Sequence, residues 1–144
     1  MAISPGFRDR LSGMTCAQRV LTDPADTWVY GYDNSRKHVP PDVVVFATSH
    51  REVQDIVRLC HEHGVPVVAR GRGTATTGAA IPVRAGVVLS LERMNRILNV
   101  DPANRVIVVE PGVTNQAVQE AVAAHGFFWP PDPTSAAYCT VGGN

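Results

Sequence analysis

The chain has 144 residues, 44% of them hydrophobic and 18% charged, a length and balance that suit one domain with a core of its own. Thirteen basic residues match thirteen acidic ones, so net charge draws it neither to nucleic acid nor to an anionic membrane surface. Cys16, Cys60 and Cys139 stand apart with no Cys-x-x-Cys pair, which speaks against a disulfide framework or a zinc site and for a reducing, cytoplasmic setting.

The opening "MAISPGFRDRLSGM" lacks the apolar stretch of a secretory leader, and no run reaches the length of a membrane span. Residues 1–40, punctuated by Pro, Gly, Asp and Asn, read as a loop-rich lead-in with a short helix before Leu21. "VVVFA" (43–47) is β-branched without a polar break, the mark of a strand covered on both faces. A helix follows. Ser49 and Glu52 form a capping box, Val53, Ile56, Val57 and Cys60 share one face, and Gly64 ends it. "VPVVA" (65–69) is the next strand, completing a β-α-β unit whose strands are expected to run parallel.

Beyond it, "GVVLSL" reads as a strand and "RILNVDPANRVIVVEPG" as two strands around a Pro-Ala-Asn turn. A helix over 114–125 carries Val118, Ala121 and Val122 as its buried stripe and ends at Gly126. Strands and helices alternate, so the class is α/β or α+β with a mixed sheet.

Between the strands lies "ARGRGTATTG" (69–78), which is neither of the common phosphate loops. Position 76 is Thr where a dinucleotide fingerprint needs Gly, no helix follows, and no Gly-Lys-Ser/Thr occurs. What remains is a loop with Gly71, Gly73 and Gly78, hydroxyls at Thr74, Thr76 and Thr77, cations at Arg70 and Arg72, and no acid. Successive amides in such a turn can form a concave nest for anionic oxygen; a plain strand connection with solvated arginines is the competing reading. The second unusual segment, "PPDPTSAAYCTVGGN" (130–144), joins a proline-fixed path to a glycine pair. Phe127, Phe128 and Trp129 just before it favour an ordered loop over a loose tail.

Taken with "LERMNRIL", "VVEPGVTNQAVQEAV" and the lead-in "YGYDNS", these motifs resemble the FAD-binding domain of the FAD-linked oxidases, the vanillyl-alcohol oxidase and p-cresol methylhydroxylase type. Within that superfamily the chain is most similar to the glycolate oxidase D-subunit and D-lactate dehydrogenase branch. The resemblance runs from about Val43 to Asn144, with Tyr30 to Ser35 in the lead-in, and implies that residues 41–144 are the first part of such a domain, with FAD held in an extended conformation. It implies that Arg70, Gly71, Arg72, Gly73, Thr74, Thr77 and Gly78 hold the pyrophosphate, and that Pro111 lies near the flavin. Pro131, Asp132, Pro133 and Ser135, with Thr140, Val141, Gly142, Gly143 and Asn144, would line the adenosine and isoalloxazine side.

The implied reaction is oxidation of a 2-hydroxy acid by hydride transfer to FAD, with an iron–sulfur subunit as a partner in some relatives. Arg72 and Ala79 depart from the branch, which more often has small residues and a second Gly there. Neither loop holds a histidine where relatives tether flavin, so non-covalent FAD is expected. His38, His50, His61, His63 and His125 read as surface or capping residues, and Asp26, Asp33, Asp101 and Glu110 make no visible acid–base pair. The chain ends inside the second flavin motif, so it is expected to be an N-terminal part without the substrate domain and its catalytic residues. The alternative is a truncated, non-catalytic module that folds and self-associates without flavin.

Overall fold

The computed structural model describes residues 3–144. The first two residues of the expected lead-in lie outside them. Two layers of structure form. The larger is a four-stranded sheet of β1 (Val20–Leu21), β2 (Val43–Phe46), β3 (Val67–Arg70) and β4 (Val87–Ser90), in the order β1-β2-β4-β3. β1 is antiparallel to β2, while β2, β4 and β3 are parallel. The smaller is a hairpin of β5 (Ile97–Asp101) and β6 (Val106–Val109). The class is the mixed α/β arrangement that the sequence implies.

The lead-in is more structured than its punctuation suggests. Ser4 caps α1 (Pro5–Met14), accepting from the Phe7 amide at 3.3 Å, with Pro5 in the first helical turn. α1 turns Phe7 and Leu11 into the main core, against Ile56, Leu59 and Cys60 of α3 (His50–Glu62) and Val43, Val45, Val87 and Leu89 of the sheet. Burying two such side chains stabilises the fold by roughly 2 kcal/mol each, so this helix belongs to the core rather than to a detached arm. A one-turn helix α2 (Pro24–Thr27) and a 3-10 turn at Trp28–Tyr30 then lead the chain across the opposite sheet face, where Leu21 and Tyr30 pack on Val44, Phe46 and Val88.

The β-α-β unit forms with parallel strands, but β4 enters between β2 and β3. The placement follows burial: β2 and β4 are buried along their whole length, whereas β3 is an edge strand with Val67 and Ala69 outward. β3 also starts two residues later than the apolar run. Val65 is occupied in closing α3, its amide donating to the Cys60 carbonyl at 2.9 Å beside Gly64 with φ +62°.

The buried face of α3 is Ile56, Leu59 and Cys60, and Val57 is 41% exposed. The capping box is half formed. Ser49 accepts from the Glu52 amide at 3.3 Å, but the Glu52 carboxylate takes the amide of Thr48 at 2.8 Å and the Arg19 guanidinium.

α4 (Asn115–Ala123), capped by Thr114, lies on the β5–β6 hairpin and buries Val118 and Val122 against Ile107, Val109, Phe127 and Trp129. The Pro-Ala-Asn turn joins the two strands, with the Asp101 carboxylate accepting from the Asn104 amide at 3.1 Å. Among the described residues no helix is long and apolar enough to cross a membrane, and no cluster of three or more His, Cys, Asp and Glu is arranged to hold a metal ion.

Candidate functional site

Both unusual loops arrive at one place. β3 delivers Arg70 and Gly71 to the carboxyl end of the parallel strands, where open α/β sheets bind ligands. A cleft of about 170 Å³ opens there. One wall is the glycine loop from Arg70 to Ala75 with Ala79 and Ala80; the other is Pro111, Thr140, Gly142 and Gly143, with Leu91 at the base. Thr140 reaches this position by pairing with Thr114 in an isolated antiparallel bridge, and Gly142 by donating to the Pro111 carbonyl at 2.9 Å.

Close approach explains the glycines. A Cβ on Gly71 would fall on the Thr140 hydroxyl, and one on Gly142 would come within 2.5 Å of the Pro111 Cβ. Gly73 has φ +68°, and a Cβ there would collide with the Arg70 guanidinium that runs beneath the loop. The guanidinium is buried and donates to the Tyr32 carbonyl at 2.8 Å, over the Tyr30 ring at 5.7 Å. Arg70 therefore gives the cleft its backbone while its side chain braces the lead-in. Arg72 is exposed and lines the cleft.

The backbone amides from Arg72 to Thr77 donate to no acceptor among the described residues. Gly78 differs: its amide donates to Asp33 Oδ2 at 3.0 Å. Asp33 is buried, and Oδ1 accepts from the Ser35 amide at 2.8 Å. Burial alone would push this carboxyl up. The hydrogen bonds from Ser35 and Gly78, with the Arg70 charge, outweigh it and hold Asp33 below the usual carboxylate value. Next to it, Asn34 donates from its backbone to the Ala75 carbonyl at 2.9 Å and from Nδ2 to the Thr74 carbonyl at 3.1 Å.

The remaining residues implied by the resemblance are placed as follows. Thr77 accepts from the Ala79 amide at 3.3 Å and, with Gly78, lies outside the cleft lining. Pro131 and Asp132 line a separate groove with Asn115, Gln119, Phe128 and Trp129. Pro133 and Ser135 form turns, accepting from Ala136 and from Tyr138 and Cys139. Val141 faces the apolar space between α4 and the hairpin, and Asn144 Nδ2 donates to Asn115 Oδ1 at 2.8 Å.

Three residues escape a reading of motifs. Asn115 is 1% exposed and joins Trp129 Nε1, Asn144 Nδ2 and the Cys139 carbonyl in one buried network. Asp33 and Asn34 grip the loop from a distance in sequence that no periodicity reports. Their only sequence signal is the turn-forming run Asp-Asn-Ser inside "YGYDNS".

A row of unpaired amides and glycines that leave no room for side chains fit an anionic, closely held group such as a dinucleotide pyrophosphate. The comparisons with known proteins agree. The chain is 40% identical over 143 residues to the glycolate oxidase subunit GlcD of Bacillus subtilis, covering 99% of this chain and 30% of that protein. It is 39% identical over 104 residues to a D-lactate dehydrogenase of Anaerostipes hadrus, covering 72% of this chain and 22% of that one. A solved structure of p-cresol methylhydroxylase with substrate bound superposes with a TM-score of 0.82 at 25% identity, over 99% of this chain and 30% of that one. Residues 41–144 match the FAD binding domain family, and the chain belongs to it.

Proposed function

We propose that this chain holds FAD, non-covalently, for an oxidoreductase acting on a 2-hydroxy acid of the glycolate or D-lactate type. The observation that carries the reading is the run of unpaired amides from Arg72 to Thr77 beside a cleft closed by Pro111, Thr140 and Gly142. In it, the amides and the Arg72 side chain hold the pyrophosphate, Gly71 and Gly73 let the backbone come close, and Pro111 with Thr140 to Gly143 bounds the far side. The chemistry supplied by the bound group is hydride acceptance. The chain's own residues bind and orient it. Neither Asp33 nor Glu110 is free to act as a base, because each carboxylate is engaged, Asp33 by backbone amides and Glu110 by the Arg96 amide at 2.8 Å and its guanidinium at 2.6 Å.

The chain spans about 30% of the Bacillus relative, so substrate oxidation and any iron–sulfur partner are proposals for the whole protein. No His, Cys or Tyr is among the residues lining the cleft, which favours non-covalent binding. Cys139 is buried and accepts from Asn115 Nδ2 at 3.1 Å, and burial pushes the Cys60 thiol up to about 11. Three free cysteines favour a reducing, cytoplasmic location.

Two measurements test the reading. Acid precipitation of the flavin-loaded chain should leave the flavin in the supernatant; flavin in the pellet would contradict non-covalent binding. Anaerobic glycolate or D-lactate should bleach the visible flavin band of the whole flavoprotein; an unchanged band with both acids would contradict the substrate class.

Self-association is a second reading, favoured by the apolar surface of the hairpin and the aromatic segment, where Leu98 is 55%, Val106 51% and Phe128 70% exposed. Sedimentation of a concentration series should then show dimers or larger species, and a monomer throughout would dismiss it.

A further inference from the structure

We propose that Asp33 and Asn34 are positioning residues for the cofactor loop, fixing the direction of its amides before any ligand arrives. This rests on the reading of the loop as the FAD pyrophosphate site and adds a role for a segment outside residues 41–144, the part that matches the family.

The geometry is specific. Asn34 holds the carbonyls of Thr74 and Ala75, one by its backbone amide and one by its side chain. In a trans peptide the C=O and the following N–H point in opposite directions. Drawing those two carbonyls toward the lead-in therefore aims the amides of Ala75 and Thr76 away from it, while Thr74 and Ala75 line the cleft. Asp33 fixes the far end of the same loop at the Gly78 amide, and Arg70 anchors the near end by donating to the Tyr32 carbonyl at 2.8 Å.

The loop between these anchors is rich in Gly and Thr and has no ladder of its own, so an untethered version would sample many amide directions. Pre-organisation of that kind acts on affinity by reducing what must be ordered on binding. Asp33 is well suited to the task because both oxygens are occupied by backbone donors, which keeps its charge turned from the anion site.

The experiment is calorimetric titration of ADP and FAD into the whole chain and into its Asn34→Ala and Asp33→Asn variants, with thermal unfolding of each apo form. The expected result is ADP and FAD affinity weakened together by about 10-fold in each variant, the loss of one well-placed hydrogen bond. The apo unfolding midpoint of Asn34→Ala should stay near that of the parent. Variants that bind ADP and FAD as the parent does would overturn the proposal, as would an Asn34→Ala loss of affinity that only mirrors unfolding. Should Asp33→Asn fail to fold, amide hydrogen exchange of the parent apo chain decides: Gly78 protected and Thr76 fast supports the clasp, and equal rates sink it. A parent chain that binds neither ADP nor FAD would instead remove the cofactor reading itself, and the proposal with it.

Discussion

Gly71 and Thr140 face each other so closely that a Cβ on the glycine would collide with the Thr140 hydroxyl. Two segments nearly seventy positions apart thus meet with only the Thr140 side chain between them, and their meeting makes the cleft. Thr140 is 2% exposed and has little room to retreat.

Gly71→Ala should therefore destabilise the fold by roughly 1–3 kcal/mol through overpacking, and it should weaken FAD binding as the walls part. Adding Thr140→Ala to that variant removes the opposing hydroxyl and should recover part of the loss. Urea unfolding of the two single variants and the double variant measures the coupling; strict additivity would contradict the contact.

Arg72 lines the cleft with an exposed side chain. Arg72→Ala should lower FAD affinity by about 5-fold, the upper range for an exposed charge pair, and flatten its dependence on salt. Fluorescence titration at low and high ionic strength checks this. Equal affinity at both salts would place the Arg72 charge away from the phosphates.

The Arg19–Glu52 pair, at 2.8 Å, joins the lead-in to the start of α3 and is mostly screened from solvent. Hydrogen bonding from Arg19 first, then from Thr48, pulls the Glu52 carboxyl down to about 2 against the opposing effect of burial. A carboxyl depressed in the folded chain stabilises it above the ordinary value near 4.5 and loses that contribution as pH falls toward 2. Glu52→Gln should cost roughly 2 kcal/mol at neutral pH, allowing for solvent screening, and the gap to the parent should close in this acid window. Denaturant midpoints across pH measure it; a gap constant down to acid would contradict the role of the charge.

Asn115 is the hub of the C-terminal segment. Asn115→Leu leaves the Trp129 indole N–H and the Asn144 amide without their acceptor, at a cost of about 2–3 kcal/mol. Trp129 emission should shift to the red as its surroundings open to water. An unshifted spectrum with full stability would show that the network is dispensable.

How much of this was legible in the residues varies by kind of interaction. Local signals read well: the Ser49 cap, the Gly64 and Gly126 helix ends and the Pro-Ala-Asn hairpin turn each lie within a few positions of their effect. Strand order did not, because an apolar run specifies a covered strand without saying which neighbour covers it, and β4 took the place between β2 and β3. On α3 the spacing selects Val57 as readily as Leu59, and the tertiary packing of the sheet and α1 decides between them. Leu59→Ala should thus cost about 2–5 kcal/mol and Val57→Ala under about 0.5 kcal/mol, measured by urea unfolding; equal costs would contradict the observed face.

In the site, the composition of the glycine loop left an anion nest and a plain strand connection both open, and its pairing with the C-terminal loop came through family resemblance. The lead-in "YGYDNS" shared in that resemblance, but the clasp by Asp33 and Asn34 was not legible in it, since a side chain bonding to backbone 45 residues away leaves no repeat to count.

The most direct test of the central claim is a visible spectrum of the purified chain after incubation with FAD and desalting, followed by an ADP chase. The expected result is a flavin band retained through desalting, at one flavin per chain, and released by ADP. A chain that emerges colourless, or one whose flavin ADP cannot displace, would contradict the assignment of the Arg70–Gly78 loop as the phosphate-holding part of an FAD site.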